Sequence, residues 1–428
     1  MIISIVIIGG NKEMKEQSIR LGLRPNMTQF VLLAVNNVFV GTMVGIERTV
    51  VPILGQRTFH LSSLAVLLAF IASFGLVKGP LNLIAGRLAD QWGRKPVLIA
   101  GWVLGLPVPL MIILAPSWTW IIIANLLLGA NQGFAWSMTV TSKMDLVGAK
   151  RRGMALGINE FSGYFGVAVI SAIAGYLSSA YSPRPTPFIV SEIIALIGFL
   201  TALIFIRETL PFTKLEMPPK ASNEAGLSLG RVFTMVSFGN RTLFACSQAG
   251  LINKLSDTAI WGLVPIQMAR EHFTVADIGL ISGIYAFTWG IFQLGSGMWS
   301  DHVGRKLPIS LGQILNAVGI ALVLVAHSLG IWIIVALLMG IGTALVYPVL
   351  LSTVGDASHP AWRGSALGVY RMWRDGGYAV GGFLLGFGAD WLGIHGIFIV
   401  LASVVFLSGV VVIMLMSETL TVATVSKR

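Results

Sequence analysis

Long apolar runs alternate with short polar breaks along almost the whole chain. Each run is close to the roughly 20 residues that a helix needs to cross a bilayer. The pattern predicts twelve such helices, near 28–54, 62–86, 96–115, 118–142, 153–180, 188–207, 242–269, 277–299, 307–326, 329–352, 364–388 and 392–416. Turn formers occupy the breaks: Gly55, Pro116, the run Ser182-Pro183-Arg184-Pro185, and His359-Pro360. The longest break, 208–241, holds Pro218-Pro219 and Ser222-Asn223-Glu224 and divides the helices six and six. The expected organisation is an N-terminal tail (1–27), a six-helix bundle (28–207), a linker (208–241), a second bundle (242–416) and a C-terminal tail (417–428). The fold class is thus all-α integral membrane. The apolar run Met1–Gly10 is too short to cross and has neither a charged flank before it nor a clear cleavage site after it, so it makes a poor signal peptide. Met14 and Met27 are alternative starts.

The two halves repeat. Gly86-x-x-x-Asp90-x-x-Gly93-Arg94-Lys95 returns as Gly297-x-x-x-Asp301-x-x-Gly304-Arg305-Lys306, 211 residues later. Arg152-Gly153-x-Ala155-Leu156-Gly157 returns as Arg363-Gly364-x-Ala366-Leu367-Gly368 at the same shift, and Gly129 and Gly166 map onto Gly340 and Gly377. Glu208-Thr209-Leu210 returns as Glu418-Thr419-Leu420, one residue off. A single shift held across several helices marks a duplicated unit. Duplicated halves around a central site are a transporter architecture.

Composition agrees with a lipid-facing surface. Charged residues make up 11% of the chain and apolar ones 55%, against roughly 25% charged in soluble domains. The net charge of +11 invites a nucleic-acid reading, but its placement argues otherwise. Of the 29 Lys and Arg, 21 fall on one side of the predicted membrane, five inside helices, and three (Arg57, Arg184 and Arg270) on the other side. That asymmetry puts both termini in the cytoplasm and assigns the basic excess to lipid headgroups. The single Cys246 permits no internal disulfide, and the six histidines have no ligand-like spacing, so no metal site and no cofactor are expected.

The first copy of the repeated motif satisfies a Gly-x-Leu-Ala-Asp-x-x-Gly-Arg-Lys signature in full, through Gly86, Leu88, Ala89, Asp90, Gly93, Arg94 and Lys95; in the second copy Trp299 and Ser300 replace Leu and Ala. On these residues the chain resembles the major facilitator superfamily over about 28–420. The resemblance implies a monomer in a bacterial inner membrane whose halves rock about a central site. It implies a gating role for the ten repeated motif residues: the loop joins the halves in the outward-facing state and lets go as the protein rocks. Glycines allow the helices to approach, and Asp90 either pairs with Arg94 or accepts from a helix N-terminus. Drug–proton antiporters of this family often carry Gly-Pro in the fifth helix; here Gly157–Gly166 has no proline, which weakens that reading. The eleventh helix, Tyr370–Gly381, is similar to one in bacterial facilitators that include MamH-type magnetosome membrane proteins. That likeness implies iron as one cargo and a magnetosome membrane as one location, although no residue reports iron.

Nine charges lie well inside predicted helices: Glu47, Arg48, Lys78, Glu160, Lys254, Asp257, Arg371, Arg374 and Asp375. Each costs about 2.5–3.5 kcal/mol at a helix centre on insertion scales. The third, ninth and twelfth helices carry none in their interiors and the sixth only Glu192 near its end; the resemblance implies that these four are the peripheral helices. At about 1.5 Å per residue, Lys78 and Glu160 sit about 12 Å from the cytoplasmic end, and Arg371 occupies the repeat position of Glu160. These three are expected to meet near the pseudo-twofold axis. Arg374, Asp375 and Lys254 fall near the midplane, and Glu47, Arg48 and Asp257 toward the outer half. Internal pairs are expected for Lys254 with Asp257 and Arg371 with Asp375. Glu47 and Arg48 are adjacent, do not face each other, and each need another partner. Arg371, Arg374, Lys254 and Lys78 are the candidate contacts for an anionic or chelated substrate, with Glu160 or Asp375 as the proton-coupling carboxylate.

The favoured reading is a secondary transporter of a small solute, because no phosphate-binding loop of the Gly-x-x-x-x-Gly-Lys-Ser/Thr type is present. A passive facilitator, a drug efflux pump and a non-transporting receptor or assembly factor are the alternatives. No nucleophile–base pair points to an enzyme.

Overall fold

The computed structural model describes residues 20–148, 151–213, 227–359 and 362–420. The Met1–Gly10 run, Met14, the Pro218-Pro219 and Ser222-Asn223-Glu224 stretches, and Pro360 lie outside them. Among the described residues the chain is helical. The first six membrane helices are α1 (Met27–Arg57), α2 (Leu64–Trp92), α3 (Arg94–Leu114), α4 (Trp118–Val147), α5 (Arg152–Ala180) and α6 (Thr186–Ile204). The seventh, α7 (241–270), is interrupted by a π-helical turn at Ala259–Leu263 ahead of Pro265. Then follow α8 (Val275–Val303), α9 (Lys306–Val325) and α10 (Leu329–Asp356). The last helical stretch, Arg363–Leu415, bends at Gly393, whose φ of 74° lies outside the helical region. It is two membrane helices joined without a loop, α11 (363–392) and α12 (394–415).

The linker has structure of its own. Leu210–Thr213 forms a short turn of helix, and Leu229–Thr234 runs into a π turn that ends at Gly239. This second segment is bolted to α11. The Trp373 indole donates to the Ser237 hydroxyl at 2.9 Å, and Phe233 stacks on Trp373 with ring centres 6.3 Å apart.

Helices α6 and α12 present Ile193, Leu200, Phe406 and Met414 outward, as lipid-facing helices do. Packing follows the 211-residue repeat. A methyl added at Gly129 would stand 2.5 Å from the Phe74 carbonyl oxygen, and one at Gly340 would stand 2.9 Å from that of Tyr285, the equivalent position.

Two seams join the halves, α2 against α11 and α5 against α8, and both are tight at one end only. A Cβ at Gly386 would lie 2.6 Å from the Ala65 Cα, and one at Gly279 2.8 Å from the Gly175 Cα. At the end bearing the Gly86–Lys95 loop the seams are apart. Among the described residues, no atom lies within 4 Å of a Cβ built at Gly86, Gly297, Gly153 or Gly364. The motif glycines therefore do not pack helix on helix here, because the halves have separated where they stand.

At the closed end the seams are clasped. The Asp390 carboxylate, at the end of α11, accepts from the Ser63 hydroxyl (2.6 Å) and from the Leu64 and Ala65 N–H groups (2.6 and 3.1 Å) at the start of α2. The Ser179 hydroxyl, at the end of α5, accepts from the Ala276 N–H (2.9 Å) at the start of α8. Residues 179 and 390 differ by 211, as do 65 and 276: one clasp, used twice.

Candidate functional site

Between the separated halves lies a polar cavity that opens toward the end bearing the Gly86–Lys95 loop. Helix α2 contributes Lys78 and Asn82, α4 Trp136 and Ser137, α5 Glu160 and Tyr164, α10 Tyr347, and α11 Arg371, Arg374 and Asp375. The meeting of Lys78, Glu160 and Arg371 expected from their helical depth is what the structure gives, with Arg374 and Asp375 beside them.

The charges are not evenly matched. Arg374 and Asp375 pair at 2.8 Å, and the Arg374 guanidinium lies 3.7 Å from the centre of the Tyr347 ring. Asp375 also accepts a short hydrogen bond from the Asn82 amide, a polar link between the halves. Its ion-pair partner is thus Arg374, not Arg371; a carboxylate on the short Asp stem meets its neighbour's guanidinium before the one a turn away. Glu160 takes the Trp136 indole N–H at 2.7 Å and the Asn159 amide at 3.4 Å, both neutral donors. Among the described residues, neither Lys78 nor Arg371 has a carboxylate within ion-pair distance. Lys78 rests instead among rings, 5.3 Å from the Phe74 centre and 5.8 Å from that of Trp136.

Lys254 and Asp257 stand away from this cavity. They pair at 2.6 Å, as their i,i+3 spacing predicts, and both are fully buried. Asp257 also accepts from the Trp261 indole (2.8 Å), the Tyr285 hydroxyl (2.7 Å) and, by a short bond, the Tyr378 hydroxyl. A carboxylate with four donors is saturated, which leaves this hub no free acceptor for a ligand. Glu47 and Arg48 are buried as well and overturn one expectation: their charged ends approach each other at 3.1 Å, in a geometry that makes no hydrogen bond between them. Two long side chains on consecutive residues curl back to meet when burial removes water as the alternative. The Arg48 guanidinium also lies 4.5 Å from the Phe74 ring centre.

Lys143 is a residue that the hydropathy pattern hid. A helix ending at 142 leaves it in a loop, but α4 runs on to Val147, and Lys143 is fully buried with no hydrogen bond to its Nζ among the described residues. The signal was available: Thr139, Ser142, Lys143 and Asp145 continue the helix in polar letters.

At the motif end, Arg94 pairs with Asp90 (2.6 Å) and with Asp145 of α4 (3.1 Å). Arg305 pairs with Asp301 (2.6 Å) and with Asp356 of α10 (3.0 Å). Gly93 and Gly304 turn the chain at φ of 99° and 91°, a region open to glycine. The Glu208 carboxylate then caps α3 through the N–H groups of Arg94 (2.8 Å) and Lys95 (3.0 Å). Glu418 caps α9 through those of Arg305 (2.8 Å) and Lys306 (3.2 Å). Partial burial pushes the Glu418 carboxyl up, but four backbone N–H groups, of Arg305, Leu420, Lys306 and Thr419, outweigh it and hold the group below the usual glutamate range. The repeated Glu-Thr-Leu triplet is thus a pair of helix caps.

Among the described residues, membrane helices in two related halves with a polar cavity between them define a transporter of the facilitator type. The Major Facilitator Superfamily profile matches residues 31–253 and 248–427, so the chain belongs to that family and is not an enzyme. It is 24% identical over 397 residues to an uncharacterized MFS-type transporter of Salmonella typhimurium, covering 88% of this chain and 93% of the other. It is 27% identical to the multidrug resistance protein MdtG of Proteus mirabilis (75% and 78% covered). It is 25% identical to the class E tetracycline resistance protein of Escherichia coli (73% and 76%). Among solved structures, the nucleoside transporter NupG superposes with a TM-score of 0.73 at 14% identity, over 90% of this chain and 98% of the other. A POT family transporter with a bound thioalcohol-conjugated peptide gives 0.72 at 14%, over 90% and 95%. At such identity the two structures speak for the fold alone.

Proposed function

We propose that the chain is a proton-coupled secondary transporter that carries a small organic anion by alternating access. One observation supports this: Lys78 from the first half and Arg371 from the second face a single cavity and, among the described residues, have no carboxylate within ion-pair distance. Two cations held apart on separate bodies repel. An anion between them replaces repulsion by attraction on both sides and draws the open ends together, which is the closure alternating access needs. Glu160 is the carboxylate best placed for proton coupling, since it faces the cavity bonded to neutral donors, while Asp375 is held by Arg374. Positive-inside asymmetry orients the open end to the cytoplasm of a bacterial inner membrane. Nothing in the cavity singles out iron, and an anionic iron chelate enters only as a candidate cargo.

The test is flux into proteoliposomes under an imposed pH gradient, with a panel of organic anions, ferrous and ferric chelates, and tetracycline. We expect gradient-driven uptake of an anion, lowered at least tenfold in Lys78→Ala and Arg371→Ala, and uncoupled from the gradient in Glu160→Gln. Transport of cations alone, or full activity in Arg371→Ala, rejects the anion reading. A second reading, drug export, is favoured by the names of the MdtG and tetracycline resistance relatives; movement of tetracycline against its gradient would select it.

A further inference from the structure

We infer that the anion carries a flat aromatic group. The inference rests on the anion reading above and adds the form of the cargo's apolar part.

Apart from its charges and amides, the cavity wall is mostly rings: Trp136 and Tyr164 from the first half, Tyr347 from the second, with Val140 as the lone aliphatic side chain in the lining. These rings continue into a buried aromatic cluster of Trp289, Tyr285 and Trp261 behind the cavity. The rings are also braced. Tyr164 lies against Trp289 with centres 3.7 Å apart and meets Trp136 edge-on at 5.5 Å. Tyr347 is covered on one face by the Arg374 guanidinium. Each ring touches a packed neighbour and still lines the cavity, so contact with a ligand orders little that is not already ordered. Two braced rings on one body and one on the other form a slot whose width changes as the halves move. A planar ring system uses both walls of such a slot; a puckered ring or branched chain uses one at a time.

Polarity agrees. Among the described residues, the Tyr164 and Tyr347 hydroxyls have no hydrogen-bond partner. They add two donors at the ring edges to those of Lys78 and Arg371. The complementary ligand is an aromatic body bearing a carboxylate or similar acid, with further acceptor oxygens accommodated at its rim. Offset or edge contacts between rings contribute about 2- to 12-fold each in affinity beyond their buried area.

The experiment compares 2-naphthoate with decahydro-2-naphthoate, which share charge and carbon skeleton and differ in aromaticity. Binding to the purified full chain is read by thermal shift and by tryptophan fluorescence. We expect 2-naphthoate to bind about tenfold more tightly. Tyr347→Leu and Tyr164→Leu should reduce that ratio to below threefold, by lowering 2-naphthoate affinity more than decahydro-2-naphthoate affinity. Tyr347→Phe, which keeps the ring, should keep the preference and serves as the fold control. Equal affinity for the two acids in the wild-type protein overturns the aromatic inference and leaves anion transport standing. Saturable binding of neither acid, or of 2-naphthylmethylamine in their place, overturns both.

Discussion

Glu418 reaches past the end of α12 to hold the start of α9, and Glu208 does the same for α3. A carboxylate at a helix N-terminus contributes about 0.3–1 kcal/mol, rising toward 2 when partly buried. Because the folded Glu418 carboxyl lies below the ordinary glutamate range, its contribution is complete above that range and is lost as pH falls through the lower folded value. The expected outcome for Glu418→Gln is a lower unfolding temperature in detergent at pH 7. The gap to wild type should close as pH drops below about 4, the usual glutamate region. A gap that widens in acid would contradict the cap. Gly93 admits a similar test. A side chain there sits at φ of 99° and collides with the Glu208 carboxylate, so Gly93→Ala should cost about 1–3 kcal/mol of stability by thermal unfolding. Gly86→Ala, which meets no atom in the open state, should cost little stability and should instead slow transport if the motif ends meet during the cycle.

Among the helices, the clasps at the closed end set how readily the seams part. Asp390 supplies three hydrogen bonds to the start of α2, and losing its charge should weaken that closure by about 1 kcal/mol. A shift of that size changes the ratio of the two states about fivefold. Pulsed EPR distances between spin labels at Thr58, on the α1–α2 loop, and Arg270, at the end of α7, should therefore show a larger separated population in Asp390→Asn. An unchanged distribution would mean the clasp is not part of the gate. The π turn in α7 is also an element-scale feature: Ala259–Leu263 directly follows the Lys254–Asp257 pair and precedes Pro265, which removes one N–H from the ladder.

For the molecule as a whole, the parted seams predict sidedness. With Cys246 fully buried, an impermeant maleimide should reach Ser137→Cys only from the face that bears Lys95 and Lys306; labelling only from the other face would reverse the assignment. Most of this architecture was legible in the sequence. Span length and the 211-residue shift are properties of single segments, and Lys78, Glu160 and Arg371 could be brought together by helical rise alone. What escaped depended on contacts between segments. The Glu47–Arg48 pair, the choice of Arg374 as the Asp375 partner, and the caps by Glu208 and Glu418 all follow from which chain comes near, and helical periodicity does not report that. Lys143 escaped for a different reason: hydropathy ended α4 at the point where its core-facing side turned polar.

The matching clasps bear on how the chain came to be. Positions 179 and 390 are one site in the duplicated unit, and so are the helix starts they hold. An ancestor that worked as a symmetric pair of identical units would have shut both doors with the same bolt. The present chain has a carboxylate on one door and a serine hydroxyl on the other, so duplication freed the two to differ and the closed state acquired an adjustable strength. Restoring the symmetry with Ser179→Asp should overfasten the protein, which would bind its cargo from one side and give it up slowly on the other.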